Sequence, residues 1–118
     1  MGVEKRRFKR AKCQIHAFYQ HVGTVGHFPL IETTIMDISE SGVRFRSNEC
    51  VPTHTRLLLR LDIPKRRVIE AAIQTMWVRE IPSTHQYEIG ACYEALPERD
   101  KSLIREITNE FVDEDELV

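Results

Sequence analysis

The chain has 118 residues, enough for one domain and too few for two ordinary ones. A hydrophobic fraction of 42% and a charged fraction of 30% fit a soluble globular protein and exclude a disordered chain. No apolar run approaches the roughly 20 residues of a membrane span. The net charge of −1 hides an asymmetry, because a basic head is balanced by an acidic tail.

Residues 1–11 form a charged arm. Lys5, Arg6, Arg7, Lys9, Arg10 and the adjoining Lys12 stand against Glu4 alone, a cluster that suggests an anionic partner. With six cations and little apolar surface, the arm is expected to be mobile without such a partner. Its start lacks the apolar core of a secretory signal. Arg6 also occupies the position where myristoylation at Gly2 would want Ser or Thr, so a cytoplasmic location is expected.

Beyond the arm the pattern takes a period of two. Residues 13–20 and 31–36 are strand candidates, and 43–46 alternate Val43 and Phe45 against Arg44 and Arg46. The clearest strand is 56–63. There Leu57, Leu59, Leu61 and Ile63 share one face, Arg60 and Asp62 take the other, and Leu58 breaks the alternation. A run rich in β-branched residues covers 67–79 and holds Trp77 near its end. Residues 86–94 put Tyr87, Ile89, Ala91 and Tyr93 on one side. Turn signals separate these runs at 23–29, 39–42, 48–53, 64–66 and 82–84.

Six short strands at this spacing predict a closed or nearly closed antiparallel barrel, since closure removes exposed edges. The period then changes. Pro97 suits the first turn of a helix, Glu98 and Asp100 favour its positive end, and Leu103, Ile104, Ile107 and Phe111 make one apolar stripe. A helix over about 98–112 should pack on the barrel. The expected organisation is an arm (1–11), a barrel with its helix (12–112) and a solvated acidic tail (113–118).

Two short pieces carry chemistry. Arg6 and Arg10 make an RxxxR pair within Arg6-Arg7-Phe8-Lys9-Arg10. Asp37-Ile38-Ser39-Glu40-Ser41-Gly42 reads DxSxxG. Alone, the first is a solvated basic cluster. The second is a turn in which Asp and Ser bond nearby amides and Gly supplies a positive φ.

Their placement together is more specific. The arginine pair directly precedes the first strand, and DxSxxG follows the second. The chain in this respect resembles the PilZ domain family, which has RxxxR before its first strand and DxSxxG or NxSxxG between its second and third. Trp77 late in the fifth strand, Gly90 and Tyr93 in the sixth, and the C-terminal helix extend the resemblance over about residues 4–111. It implies a mainly β, six-stranded antiparallel split barrel with a C-terminal helix packed on it.

The resemblance also implies a ligand, the bacterial second messenger cyclic di-GMP, with Arg6, Arg10, Asp37, Ser39 and Gly42 as its binding residues. A guanidinium is planar, always charged and forked, so it can grip a phosphate or pair with guanine O6 and N7. The opposite guanine edge offers N1–H and N2–H, which a carboxylate and a hydroxyl can accept. Which of Asp37 and Ser39 takes which donor stays open. Gly42 is expected to supply backbone conformation rather than a contact. Lys5 and Arg7 are candidate additional contacts, and Phe8 a candidate anchor for the arm. The implied partner is a protein effector of motility, pilus or polysaccharide machinery.

The remaining residues indicate no other chemistry. His16, His21, His27, His54 and His85 form no HxxxH or HxH pair, so no metal site is expected. Cys13, Cys50 and Cys92 are three in number, without a CxxC, and are expected to be reduced. There is no Gly-rich phosphate loop, and neither catalytic residues nor a resident cofactor are expected. Two alternatives compete with the receptor: a PilZ-like adaptor that binds no nucleotide, and a small nucleic-acid-binding barrel. Against the latter, the basic residues cluster in one arm, the pI is about 6.5, and nucleic-acid binding is not expected.

Overall fold

A computed structural model of the chain describes residues 10–23 and 28–111, with Phe111 described by its backbone only. The expectations for Lys5, Arg6, Arg7, Phe8 and the acidic tail lie outside the described residues.

Six strands and one helix follow in chain order: β1 (Ala11–His21), β2 (Ile31–Ile38), β3 (Gly42–Ser47), β4 (Arg56–Asp62), β5 (Val68–Ile81), β6 (Gln86–Ala95) and α1 (Glu98–Phe111). Every neighbouring pair is antiparallel. The order around the sheet is β1-β2-β3-β6-β5-β4, and β4 returns to β1 to close the barrel. The expected boundaries hold to within about two residues.

Period-two alternation decides what faces inward. In β4, Leu57, Leu59 and Leu61 are at most 1% exposed, whereas Leu58, the exception in the pattern, points out and is 48% exposed. Ile15, Ala17, Tyr19, Ile35, Phe45, Ile69, Ile73 and Ile89 fill the same interior. Leu103, Ile104 and Ile107 of α1 join that core, so the helix packs its apolar stripe on the barrel as its periodicity requires. Pro97 sits one residue before the helix, and its carbonyl accepts the amides of Asp100 and Lys101.

Three pairings shift register. The breaks fall between Lys12 and Ile15 in β1–β2, at Ile35/Asp37 in β2–β3, and at Ala72/Ile73 and Thr75/Trp77 in β5–β6. Bulges of this kind bend a strand and re-aim side chains. Two of them lie beside the residues singled out from sequence, Asp37 and Trp77.

Candidate functional site

The outer face spanning β1, β2, β3, β6 and the end of β5 gathers an alternating row of charges. Asp37, near the end of β2, pairs across strands with Lys12 of β1 and Arg44 of β3. Its side chain is only 11% exposed and is held on both oxygens. Arg10 Nε lies 3.1 Å from Oδ1, and Arg44 Nε lies 3.6 Å from Oδ2. On its far side Arg44 donates from Nη1 to Glu88 Oε2 at 2.5 Å. Glu88, on β6 and also nearly buried, is further paired with Arg79 of β5. Burial alone would raise the Glu88 carboxyl, but the hydrogen bond from Arg79 and the charges of Arg44 and Arg79 outweigh it and hold it below its ordinary value.

The turn after Asp37 is built by its own hydroxyls. Ser39 is 1% exposed. Its Oγ accepts the amides of Ser41 at 3.1 Å and Gly42 at 3.3 Å and lies 2.9 Å from Ser41 Oγ, while its amide donates to Gly42 O at 2.9 Å. In this conformation the Ser39 hydroxyl is committed to the turn, and Ser41 is the exposed serine. Glu40 of the same turn is gripped by Arg105 of α1 through two hydrogen bonds, Nε to Oε2 at 3.0 Å and Nη2 to Oε1 at 2.8 Å. Hydrogen bonding from Arg105 is the main reason the Glu40 carboxyl sits below its usual range. The helix is thereby tied to the middle of the DxSxxG turn.

Gly42 differs from expectation in its reason. Its φ lies outside the left-handed region. What excludes a side chain is proximity, because a Cβ at this position would fall 2.1 Å from Ala91 O and 3.1 Å from Cys92 Cα. Glycine here lets β3 approach the β6 backbone at the start of their ladder.

Next to this turn is a groove of about 160 Å³ lined by Arg10, Ser41, Gly42, Arg44, Trp77 and Gly90, among others. Trp77 packs its indole against Gly90: a Cβ on Gly90 would meet the indole Cε2 and Nε1 at 2.2 Å. The residue is nonetheless 41% exposed. Gly90 acts as its floor and leaves the rest of the ring open. An exposed indole beside guanidinium groups is a surface on which a planar base can stack.

The structure brings Arg10, Asp37, Ser39 and Gly42 together. Arg6, Lys5 and Arg7 lie outside the described residues. Arg44, Glu88 and the stacking surface of Trp77 were not identified as site residues from sequence. Alternation had put Arg44 and Arg46 on one face, but only strand register tells which of them meets Asp37. Among the described residues, no helix is long and apolar enough to cross a membrane.

A family model described as "PilZ domain" matches residues 4–110. No curated protein matches the chain. Among solved structures, the chain is similar to the inhibitor of motility MotI/DgrA of Bacillus subtilis, with a TM-score of 0.78 at 15% identity over 92% of this chain and 51% of that one. It is also similar to the PilZ domain of YcgR from Escherichia coli, a structure solved with c-di-GMP, with a TM-score of 0.71 at 10% identity over 92% of each chain. The chain thus spans about half the length of the first of these and most of the second. At these identities the likeness is one of fold.

Proposed function

Since the chain belongs to the PilZ domain family, we propose that it is a receptor for cyclic di-GMP whose ligand-bound surface is read by a partner protein. The observation that carries this reading is the convergence of Arg10, Asp37 and the DxSxxG turn on one outer face, beside a groove floored by an exposed indole. The YcgR domain of similar fold was solved with this ligand.

The chemistry follows from the parts. Asp37 offers carboxylate oxygens to guanine N1–H and N2–H, and Ser39 contributes by fixing the turn. Gly42 allows the turn to close on β6. Arg10, with Arg6 and optionally Lys5 or Arg7, takes the phosphates or the Hoogsteen edge of guanine. Trp77 stacks on a base. The groove is smaller than the roughly 300–1,000 Å³ of sites that enclose a drug-sized ligand. It therefore suits one base, with the rest of the dinucleotide lying on the open face beneath the arm.

The dianionic ligand offsets the mutual repulsion of the six basic residues in and beside the arm, and closing the arm changes the surface presented to a partner. Ordering costs roughly 1–2 kcal/mol per residue fixed, which charge-assisted contacts must exceed. The implied output is a protein effector of motility, pilus or polysaccharide machinery, reached from the cytoplasm. No bond is made or broken in this scheme.

Trp77 is the only tryptophan of the chain, so its emission, excited at the red edge, reports on the groove alone. Cyclic di-GMP should change it saturably, and Arg10→Ala should weaken that response strongly without altering the melt. An unchanged emission at millimolar ligand would count against the assignment of the groove.

A further inference from the structure

We propose that Arg44 is a positioning residue: it holds the Asp37 carboxylate in place from behind, and through it sets the preference for guanine. This rests on the cyclic di-GMP reading and adds to it a residue outside both sequence motifs.

Asp37 lies where the β1–β2 and β2–β3 registers both shift. A bulge re-aims a side chain but does not hold it. The two arginines that do hold it differ in their own support. Arg10 precedes β1 and, among the described residues, ion-pairs with Asp37 alone. Arg44 lies inside β3, paired to β2 through Asp37 and to β6 through Gly90. Its guanidinium spans two nearly buried carboxylates, Asp37 and Glu88, the second of which is held again by Arg79. The row Arg10, Asp37, Arg44, Glu88, Arg79 therefore has one end anchored in β3, β6 and β5 and the other at Arg10, outside the strands.

A guanine edge that takes both Asp37 oxygens competes with its two cations, each of which sits on one oxygen. Arg10 is the one that no second carboxylate holds among the described residues, whereas Arg44 is also held by Glu88, and Arg10 belongs to the pair proposed to grip the ligand. Arg44 then stays as the counter-charge. Without it Asp37 would be left shielded from water with no fixed cation, which is costly, and Asp37 would turn away from the base or draw Arg10 back. The loss should show as lost base discrimination, since the phosphates are not read by Asp37.

The test uses the full chain and two ligands with the same sugar-phosphate ring, cyclic di-GMP and cyclic di-IMP, whose hypoxanthine lacks only the N2 amino group. The parent should prefer cyclic di-GMP by about tenfold or more, the range of one well-placed base contact. Arg44→Met should bring that ratio close to one while the chain still melts cooperatively. Arg44→Lys should restore part of the preference, and Glu88→Gln, which loosens Arg44 without removing it, should fall between. If Arg44→Met fails to fold, the Arg44→Lys and Glu88→Gln ratios decide the matter.

A parent that binds cyclic di-GMP but treats the two ligands alike overturns the inference and leaves the receptor reading standing. So do variants that keep the parent ratio, or that lose both ligands equally. A parent that binds neither ligand overturns the receptor reading and this inference together.

Discussion

Gly42 separates two physical reasons for a glycine in the DxSxxG turn. If glycine were needed for a left-handed φ, Asn would be the best replacement, because it tolerates that region. The structure instead gives close approach: a Cβ would sit 2.1 Å from Ala91 O, a backbone atom with no side-chain freedom to yield. Relief requires β3 to move away from β6 by about 1 Å at the Gly42–Cys92 pair, since real Cβ contacts stay beyond 3.0 Å. Overpacking of this kind costs roughly 1–3 kcal/mol, and stretching a ladder hydrogen bond adds about 1 kcal/mol. Gly42→Ala should therefore lose about 2–4 kcal/mol, a fall in Tm of roughly 8–16 °C for a chain of this size. Gly42→Asn should be no better than Gly42→Ala. Thermal melts by circular dichroism measure both. A Gly42→Ala chain melting within about 2 °C of the parent, or an Asn variant clearly more stable than the Ala variant, would refute the close-approach reasoning.

Further expectations concern groups whose protonation or bonding depends on burial. Tyr19 donates from its buried hydroxyl toward Glu49 Oε1 at 2.9 Å and shares a 2.6 Å hydrogen bond with Ser47 Oγ, so Tyr19→Phe should cost about 1–2 kcal/mol in urea unfolding, with m unchanged. The Cys13 thiol is pushed up to about 12 from an ordinary 9.0, first by burial and then by the charge of Asp37. It should react with iodoacetamide at neutral pH on the order of a thousandfold more slowly than an ordinary exposed thiol, whereas Cys50 is exposed and should label first. Burial also raises the phenols of Tyr19 and Tyr93. The folded chain thus keeps protons that the unfolded chain loses from pH 9.0 upward for Cys13 and from 10.0 upward for the two phenols, so these groups contribute fully below that range and progressively less as pH rises through it. Glu40 and Glu88 act in the opposite sense, since both are lowered from 4.5 and their contribution is lost as pH falls below it. Melts from pH 3 to 11 should show Tm falling at both ends, and a flat alkaline limb would contradict the burial of these groups.

Most of the barrel was legible because a half-buried strand writes its two faces into alternate residues. The 56–63 run shows this best: its three inward leucines and its one outward leucine all sit where the alternation put them. The helix was legible for the same reason at its own period. The site was only partly legible, because what assembles it does not repeat. The bulge at Thr75/Trp77 uses up one residue of the period, so Met76 and Trp77 are both exposed, and no strict alternation would predict that. Arg44 rather than Arg46 meets Asp37 because of strand register. Glu40 and Arg105, 65 residues apart, meet only because α1 packs over the barrel. The serine of the motif was expected to face the ligand, yet its hydroxyl is spent on the amides of its own turn, a local competition that short polar side chains commonly win.

Titration calorimetry on the purified chain tests most directly whether this barrel face binds cyclic di-GMP. Saturable heat with a defined stoichiometry is expected, strongly weakened in Arg10→Ala and in Asp37→Ala chains that retain the parent melt. No heat and no thermal shift at millimolar cyclic di-GMP would contradict it and leave the nucleotide-free adaptor as the better description.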